Sequence, residues 1–314
     1  MTDIQNASID MPFGFSPELR AKALVEAIPY IQKFSGKVIL VKMGGSALID
    51  EGLFSKFAQD IVLLASVGIQ PVVVHGGGPQ IGQYLKQIGK ESTFIDGLRV
   101  TDAETLDAVR EVLVHQVGKK IVETIIAYGG SATALTGETE NLLTVKPKGE
   151  RFGFVGEVSK VNPDIISRLH GQGEVPVIST IGQDADGQAY NINADTAAGA
   201  LAGALLAEKT IYLSDVPGLL IDKDDPTSII SSIQYKQLYE MFETGVISDG
   251  MIPKVESCIQ ALEKGAKAAH LLDGRVSHVL LLEIFTDSGI GTMIKKGEEA
   301  VSYTHLTLPT KRIV

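Results

Sequence analysis

Six short apolar runs, at 38–42, 71–75, 131–135, 175–180, 210–214 and 268–272, are spread along the chain and bounded by segments of a different period. Runs this short that carry little polar alternation are strands buried on both faces, which is the condition of a mainly parallel sheet covered by helices. The intervening segments supply the helices. Leu53, Phe57, Ile61 and Leu64 recur at three- or four-residue spacing, as do Ala108, Val112 and Val122 with their neighbours, and that spacing gives one apolar helix face. The expected fold class is α/β with a mainly parallel open sheet.

Four stretches depart from the alternation. Residues 141–161, with Gly149, Gly153 and Gly156, and 183–193, with the turn Asp186-Gly187, read as β-hairpins projecting from the sheet, either as lids over a substrate or as edge decoration. Residues 17–34 carry Leu19, Ala23, Ala27 and Ile31 every four positions ahead of the first strand, so an accessory helix outside the core is expected there. The segment 302–314, SYTHLTLPTKRIV, breaks the pattern and reads as translated adapter sequence; 298–314 is set aside as a non-native tail.

The chain has 314 residues and 44% hydrophobic composition, enough for a large core in one domain or two lobes. Its 28 basic residues against 38 acidic ones give a net charge of −10, which argues against a nucleic-acid or anionic membrane partner. Cys258 is the only cysteine, so an intrachain disulfide framework is excluded and a reducing compartment is expected. No apolar run approaches the roughly 18 residues of a membrane span, and the N-terminus, with Asp3 and Asp10, lacks the form of a secretory signal. A cytoplasmic location follows as the expectation.

Four motifs carry chemistry. The first strand ends in Lys42-Met43-Gly44-Gly45-Ser46, and glycines at the carboxyl edge of a parallel sheet let backbone N–H groups approach phosphate oxygens; a tight turn formed for steric reasons gives the same pattern. The second strand runs into His75-Gly76-Gly77-Gly78-Pro79, where each glycine costs roughly 0.5–1 kcal/mol of backbone entropy relative to alanine, so an anion or ligand site is favoured over a plain turn. His75 itself fits a structural hydrogen bond better than catalysis. Asn191-Ile192-Asn193-Ala194-Asp195 precedes a small-residue run, with Asp195 either a functional carboxylate or the helix cap. Asp249-Gly250-Met251-Ile252-Pro253-Lys254 opens a helix, and a lysine near a helix N-terminus opposes the dipole unless an anion binds there. The patterns G-x-x-x-x-G-K-[ST] and G-x-G-x-x-G are both absent, so neither a Walker-type nor a dinucleotide site is expected.

As an ordered set, K-x-G-G, V-H-G-G-G-P, D-G-L-R-V-T, N-I-N-A-D and D-G-M-x-x-K resembles the amino-acid kinase superfamily and, over residues 34–296, its N-acetyl-L-glutamate kinase family of the arginine-inhibited type. The resemblance implies a three-layer α/β/α sandwich of two lobes. It divides the chain into an oligomerising helix at 1–35, an acetylglutamate-binding and dimerising lobe at 36–190, and an ATP-binding and arginine-regulatory lobe at 191–297. The implied reaction passes the γ-phosphoryl group of ATP to the γ-carboxylate of N-acetyl-L-glutamate, the second step of arginine biosynthesis. Lys42 and Lys254 would contact the transferring group, held by Asp195. Gly77, Gly78, Arg99, Asn191 and Asn193 would bind the acceptor. Gly44, Gly45, Ser214, Asp215, Gly218, Leu219, Gly250 and Met251 would bind ATP, which would carry Mg2+ without a protein metal site. Tyr30, His270, Glu283 and Gly289 would bind the inhibitor L-arginine. The resemblance further implies a homohexamer built as a trimer of dimers, and a PII signalling protein as a possible partner. Aspartate or glutamate kinases, and an arginine sensor without catalysis, are the rival readings.

Overall fold

The computed structural model describes residues 16–222, 225, 228–243, 247, 251–287 and 289–297. The expected tail and the first fifteen residues lie outside them. The main sheet takes β1 (Val38–Met43), β2 (Gln70–His75), β5 (Ala132–Thr136), β8 (Val175–Ser179), β11 (Lys209–Ser214), β12 (Ser232–Gln234), β13 (Ala268–Asp273) and β14 (Thr292–Lys295). Their spatial order is β12-β14-β13-β11-β1-β2-β8-β5. Every neighbouring pair is parallel except β13 with β14. All six expected strands are present.

Burial explains the apolar runs. Leu40, Val72, Val74 and Tyr212 face one core, while Ile39, Val41, Val73 and Ile211 face another on the opposite side of the same sheet. On the second side pack α2 (Glu51–Ser66), α3 (Gly78–Gln87), α4 (Ala103–Arg110), α5 (Lys119–Ala127) and α10 (Val279–Phe285). On the first side pack α6 (Asp164–Gly171), α7 (Ala194–Ala204), α8 (Tyr235–Glu243) and α9 (Ile252–Glu263). The three layers are thus those of an α/β/α sandwich.

Helix α1 (Pro17–Phe34) forms where the four-residue spacing placed it, capped by Ser16, whose hydroxyl accepts the Leu19 N–H. Its far end is anchored in the core. Phe34 is buried in the core, whereas Leu19 and Leu24 are exposed. A turn of the π type, Glu111–Gly118, joins α4 to α5, an irregularity that often marks functional sites.

Both hairpins form and pair into one four-stranded sheet, in the order β10 (Ala189–Asn191), β9 (Ile181–Gln183), β6 (Leu143–Pro147) and β7 (Gly156–Val161). A smaller hairpin, β3 (Phe94–Ile95) with β4 (Leu98–Arg99), lies outside the expected strands. The hairpin sheet is tied to the chain after β4: Thr101 donates its N–H to Phe152 O at 3.0 Å and accepts that of Phe154 at 2.6 Å.

Candidate active site

Two cavities open at the carboxyl end of β1, where β2 lies on one side and β11 on the other. This is the switch point at which open α/β sheets bind ligands. The first, about 220 Å³, is lined by Gly76–Gly78, Arg99, Leu113, Val155 and Asn191–Asp195 among others. The second, about 290 Å³, is lined by Leu213–Val216, Met251 and Lys254. Lys42 and Gly45 line both, so the two cavities share a wall.

Asp195 organises that wall. Its Oδ1 lies 2.8 Å from Lys42 Nζ and its Oδ2 lies 3.6 Å from Lys254 Nζ. Burial pushes the carboxyl up, but the two ammonium groups together outweigh it and hold the group below the ordinary carboxylate range. The helix cap that Asp195 could have supplied comes from Asn193, whose Oδ1 accepts the N–H groups of Asp195 and Thr196 at 2.9 and 3.1 Å. Because the Asn193 amide takes the backbone, the Asp195 carboxylate is left for the lysines. Lys254 sits in the first turn of α9, as the sequence placed it.

The glycines divide by cause. A Cβ on Gly44 would lie 2.6 Å from Lys42 Nζ, so the missing side chain is room for the ammonium group. Gly45 has φ +61, and its Cβ would lie 2.5 Å from the Asp215 carboxylate; that carboxylate accepts the Ser46 N–H at 2.7 Å and fastens the turn. Gly77 makes space for Leu113, while Gly78 has open space where a Cβ would stand, inside the first cavity. His75 is fully buried between Ser179 Oγ and Gly76 O, and burial lowers its pKa to about 4. It is a neutral structural residue, as its strand-end position suggested.

Arg99 stacks over the Phe94 ring at 4.8 Å and donates to Gly78 O and the Ser92 hydroxyl. Among the described residues it has no carboxylate partner. Asn191 donates to Thr101 Oγ1 at 3.2 Å and lines the first cavity with Asn193. Of the expected nucleotide residues, Ser214, Asp215 and Met251 line the second cavity, whereas Gly218 and Leu219 turn away from it against Thr292; Gly250 lies outside the described residues. Leu113 and Val155 line the first cavity and were not foreseen. Val155 belongs to a hairpin that was, but Leu113 arrives from the π-type turn, whose period has no apolar signature in a sequence.

A third cavity, about 440 Å³, lies under α1 and is lined by Tyr30, Lys209, Glu283, Asp287, Gly289 and Met293 among others. Tyr30 donates its hydroxyl to Asp287 Oδ1 at 2.6 Å. Glu283 Oε1 lies 2.7 Å from Lys209 Nζ and 2.9 Å from Nδ1 of His270, which is buried behind it. Burial keeps that imidazole below its ordinary pKa, so His270 donates as a neutral ring and Lys209 supplies the charge that pairs Glu283. The four residues expected to act together, Tyr30, His270, Glu283 and Gly289, therefore gather in one place.

The Amino acid kinase family model matches residues 37–273. An acetylglutamate kinase of Acaryochloris marina is 51% identical over 281 residues, which cover 89% of this chain and 99% of that protein. One of Gloeobacter violaceus is 49% identical over 288 residues, covering 90% and 95%. Among solved structures, an N-acetylglutamate synthase from Neisseria gonorrhoeae, complexed with coenzyme A and N-acetyl-glutamate, superposes with a TM-score of 0.78 at 25% identity; the match covers 88% of this chain and 63% of that longer one. The family match and the curated relatives agree: the chain belongs to the amino acid kinase family, as an ATP-dependent kinase of its acetylglutamate kinase branch.

Proposed function

We propose that the chain transfers the γ-phosphoryl group of ATP to the γ-carboxylate of N-acetyl-L-glutamate, giving N-acetyl-L-glutamyl 5-phosphate in the second step of L-arginine biosynthesis. The observation that carries this reading is that Lys42 lines both cavities, while Asp195 in the first is paired with Lys42 and with Lys254 of the second. With ATP in the cavity beside Asp215 and Met251, and acetylglutamate in the one beside Arg99, the phosphoryl group crosses at Lys42.

Phosphoryl transfer is governed by positioning and by positive charge on the equatorial oxygens. Lys42 and Lys254 supply that charge, and Asp195 fixes their direction. The acceptor carboxylate is already ionised near neutral pH, so the step needs no general base. Arg99, with no acidic partner among the described residues, suits the substrate α-carboxylate through its planar fork. Among the described residues no group of three or more His, Cys, Asp or Glu is placed to hold a metal, and Mg2+ enters with ATP, keeping phosphate and water ligands. The acceptor cavity draws on both proposed lobes, 36–190 and 191–297, because Asn191 to Asp195 close it.

ADP release measured with acetylglutamate, aspartate, glutamate and no acceptor tests the assignment. Turnover with acetylglutamate alone is expected. Turnover confined to aspartate or glutamate reassigns the substrate, and none with any acceptor favours a sensor.

The cavity under α1 is proposed to bind L-arginine as feedback inhibitor, its Glu283 and Asp287 carboxylates suited to a guanidinium and an ammonium group. Arginine titration should inhibit the parent and leave Glu283→Ala unaffected; a parent insensitive to arginine removes this part. A cytoplasmic homohexamer, with a PII protein as further partner, completes the proposal.

A further inference from the structure

Strand β14 has different neighbours on its two faces. Gly291 and Met293, with Gly289 before them, line the cavity under α1, and strand alternation sends the side chain between them the other way. That side chain is Thr292, fully buried, whose Oγ1 accepts the backbone N–H of Leu219 at 2.8 Å. Leu219 belongs to the loop that leaves β11 through Ser214, Asp215 and Val216, which line the nucleotide cavity. Its carbonyl is held as well, by the N–H of Ile230 at 2.8 Å.

The two segments approach too closely for side chains where they meet. A Cβ on Gly218 would lie 2.7 Å from Thr292 Oγ1, and one on Gly291 would lie 3.2 Å from Pro217 O and 2.2 Å from Leu271 O. Side chains are missing from both segments where they meet, so their backbones pack directly against one another.

We propose that Thr292 is a positioning residue for the nucleotide loop, and that through it occupancy of the cavity under α1 is felt at the nucleotide site within one chain. The second half rests on the arginine and ATP assignments above. Leu219 N–H is buried against this single hydroxyl, and losing the acceptor leaves an unpaired amide whose relief is to move the loop. A ligand that binds one placement of β14 better than another then changes nucleotide affinity, and the coupling is reciprocal.

The test compares the purified full chain with T292V, which keeps shape without an acceptor, and T292S, which keeps the hydroxyl. T292V should raise KM for ATP on the order of tenfold, the scale of one unpaired buried amide, with kcat at saturating ATP and KM for acetylglutamate little changed. T292S should return KM for ATP close to the parent value. Calorimetric titration of L-arginine with and without ADP reads the coupling: the parent's arginine Kd should change when ADP is bound, and the change should shrink in T292V. Unchanged KM for ATP in T292V overturns the positioning role, as does an equal rise of both KM values with a lowered Tm that T292S fails to restore. If arginine does not bind the parent, the effector assignment and the coupling fall together, and KM for ATP alone decides the role of Thr292.

Discussion

Asp195 and Lys254 differ in what their removal exposes. Lys254 is a quarter exposed and reaches Asp195 at 3.6 Å, while Lys42 is buried against the same carboxylate. Lys254→Ala should therefore lower kcat by roughly two to three orders of magnitude, the scale of one lost electrostatic group, and leave Tm nearly unchanged. Asp195→Ala should lower kcat and Tm together, because it leaves Lys42 buried without a partner, a loss of about 3–5 kcal/mol. Steady-state kinetics and thermal unfolding on both variants check the contrast, and a Tm loss in Lys254→Ala as large as in Asp195→Ala contradicts it. His75 gives a separate residue-scale expectation. Its folded pKa is depressed to about 4 from the ordinary 6.5, so the folded protein binds fewer protons than the unfolded chain between those values. Its contribution is complete above pH 6.5 and is lost as pH falls toward 4, by about 3 kcal/mol over the window. The slope of unfolding free energy against pH should flatten there in His75→Gln; an unchanged slope assigns the acid sensitivity to other groups.

Among the elements, the four-stranded hairpin sheet is placed over the acceptor cavity by Thr101 and Gly153. Gly153 has φ +66, and a Cβ there would lie 2.3 Å from Thr101 O. Gly153→Ala should undock the hairpin and raise KM for acetylglutamate about tenfold, since a strained or lost contact of this kind costs on the order of 1–3 kcal/mol, while KM for ATP stays as in the parent. Equal effects on both substrates would point to a general loss of packing. The elements also explain what was legible beforehand. Strands β1, β2, β8, β11 and β13 are buried on both faces and so read as apolar runs, and the turn Asp186-Gly187 announced its hairpin. Strands β12 and β14 are only Ser232–Gln234 and Thr292–Lys295, too short to show a period, and β14 runs against its neighbour. The lysine wall was legible only as an ordered set of motifs, because Lys42, Asp195 and Lys254 meet through the β1–β11 pairing and the packing of α7 on α9. Thr292 gave no signal: a lone threonine between a glycine and a methionine becomes meaningful only when Leu219 is brought to it.

At the scale of the whole molecule, α1 is the element least accounted for by the chain that carries it. Its last turns are anchored by Phe34 in the core and by the Tyr30 hydroxyl on Asp287. Its first turns carry Leu24, Val25 and Ile28, which are 72%, 64% and 45% exposed. An apolar stripe on a projecting helix is satisfied most simply by the same stripe on a second copy, across a two-fold axis. Because the same helix closes the cavity at Tyr30, assembly and effector binding should share it. The double variant Leu24→Glu and Ile28→Glu should therefore reduce the proposed hexamer to dimers in sedimentation velocity, with turnover within about twofold of the parent because the two proposed substrate cavities lie within one chain and away from this stripe. Arginine should inhibit the variant more weakly, since α1 loses the neighbour that holds its position over Glu283. A parent that already sediments as a dimer, or a variant whose mass is unchanged, would detach α1 from assembly and leave it as the wall of the effector cavity alone.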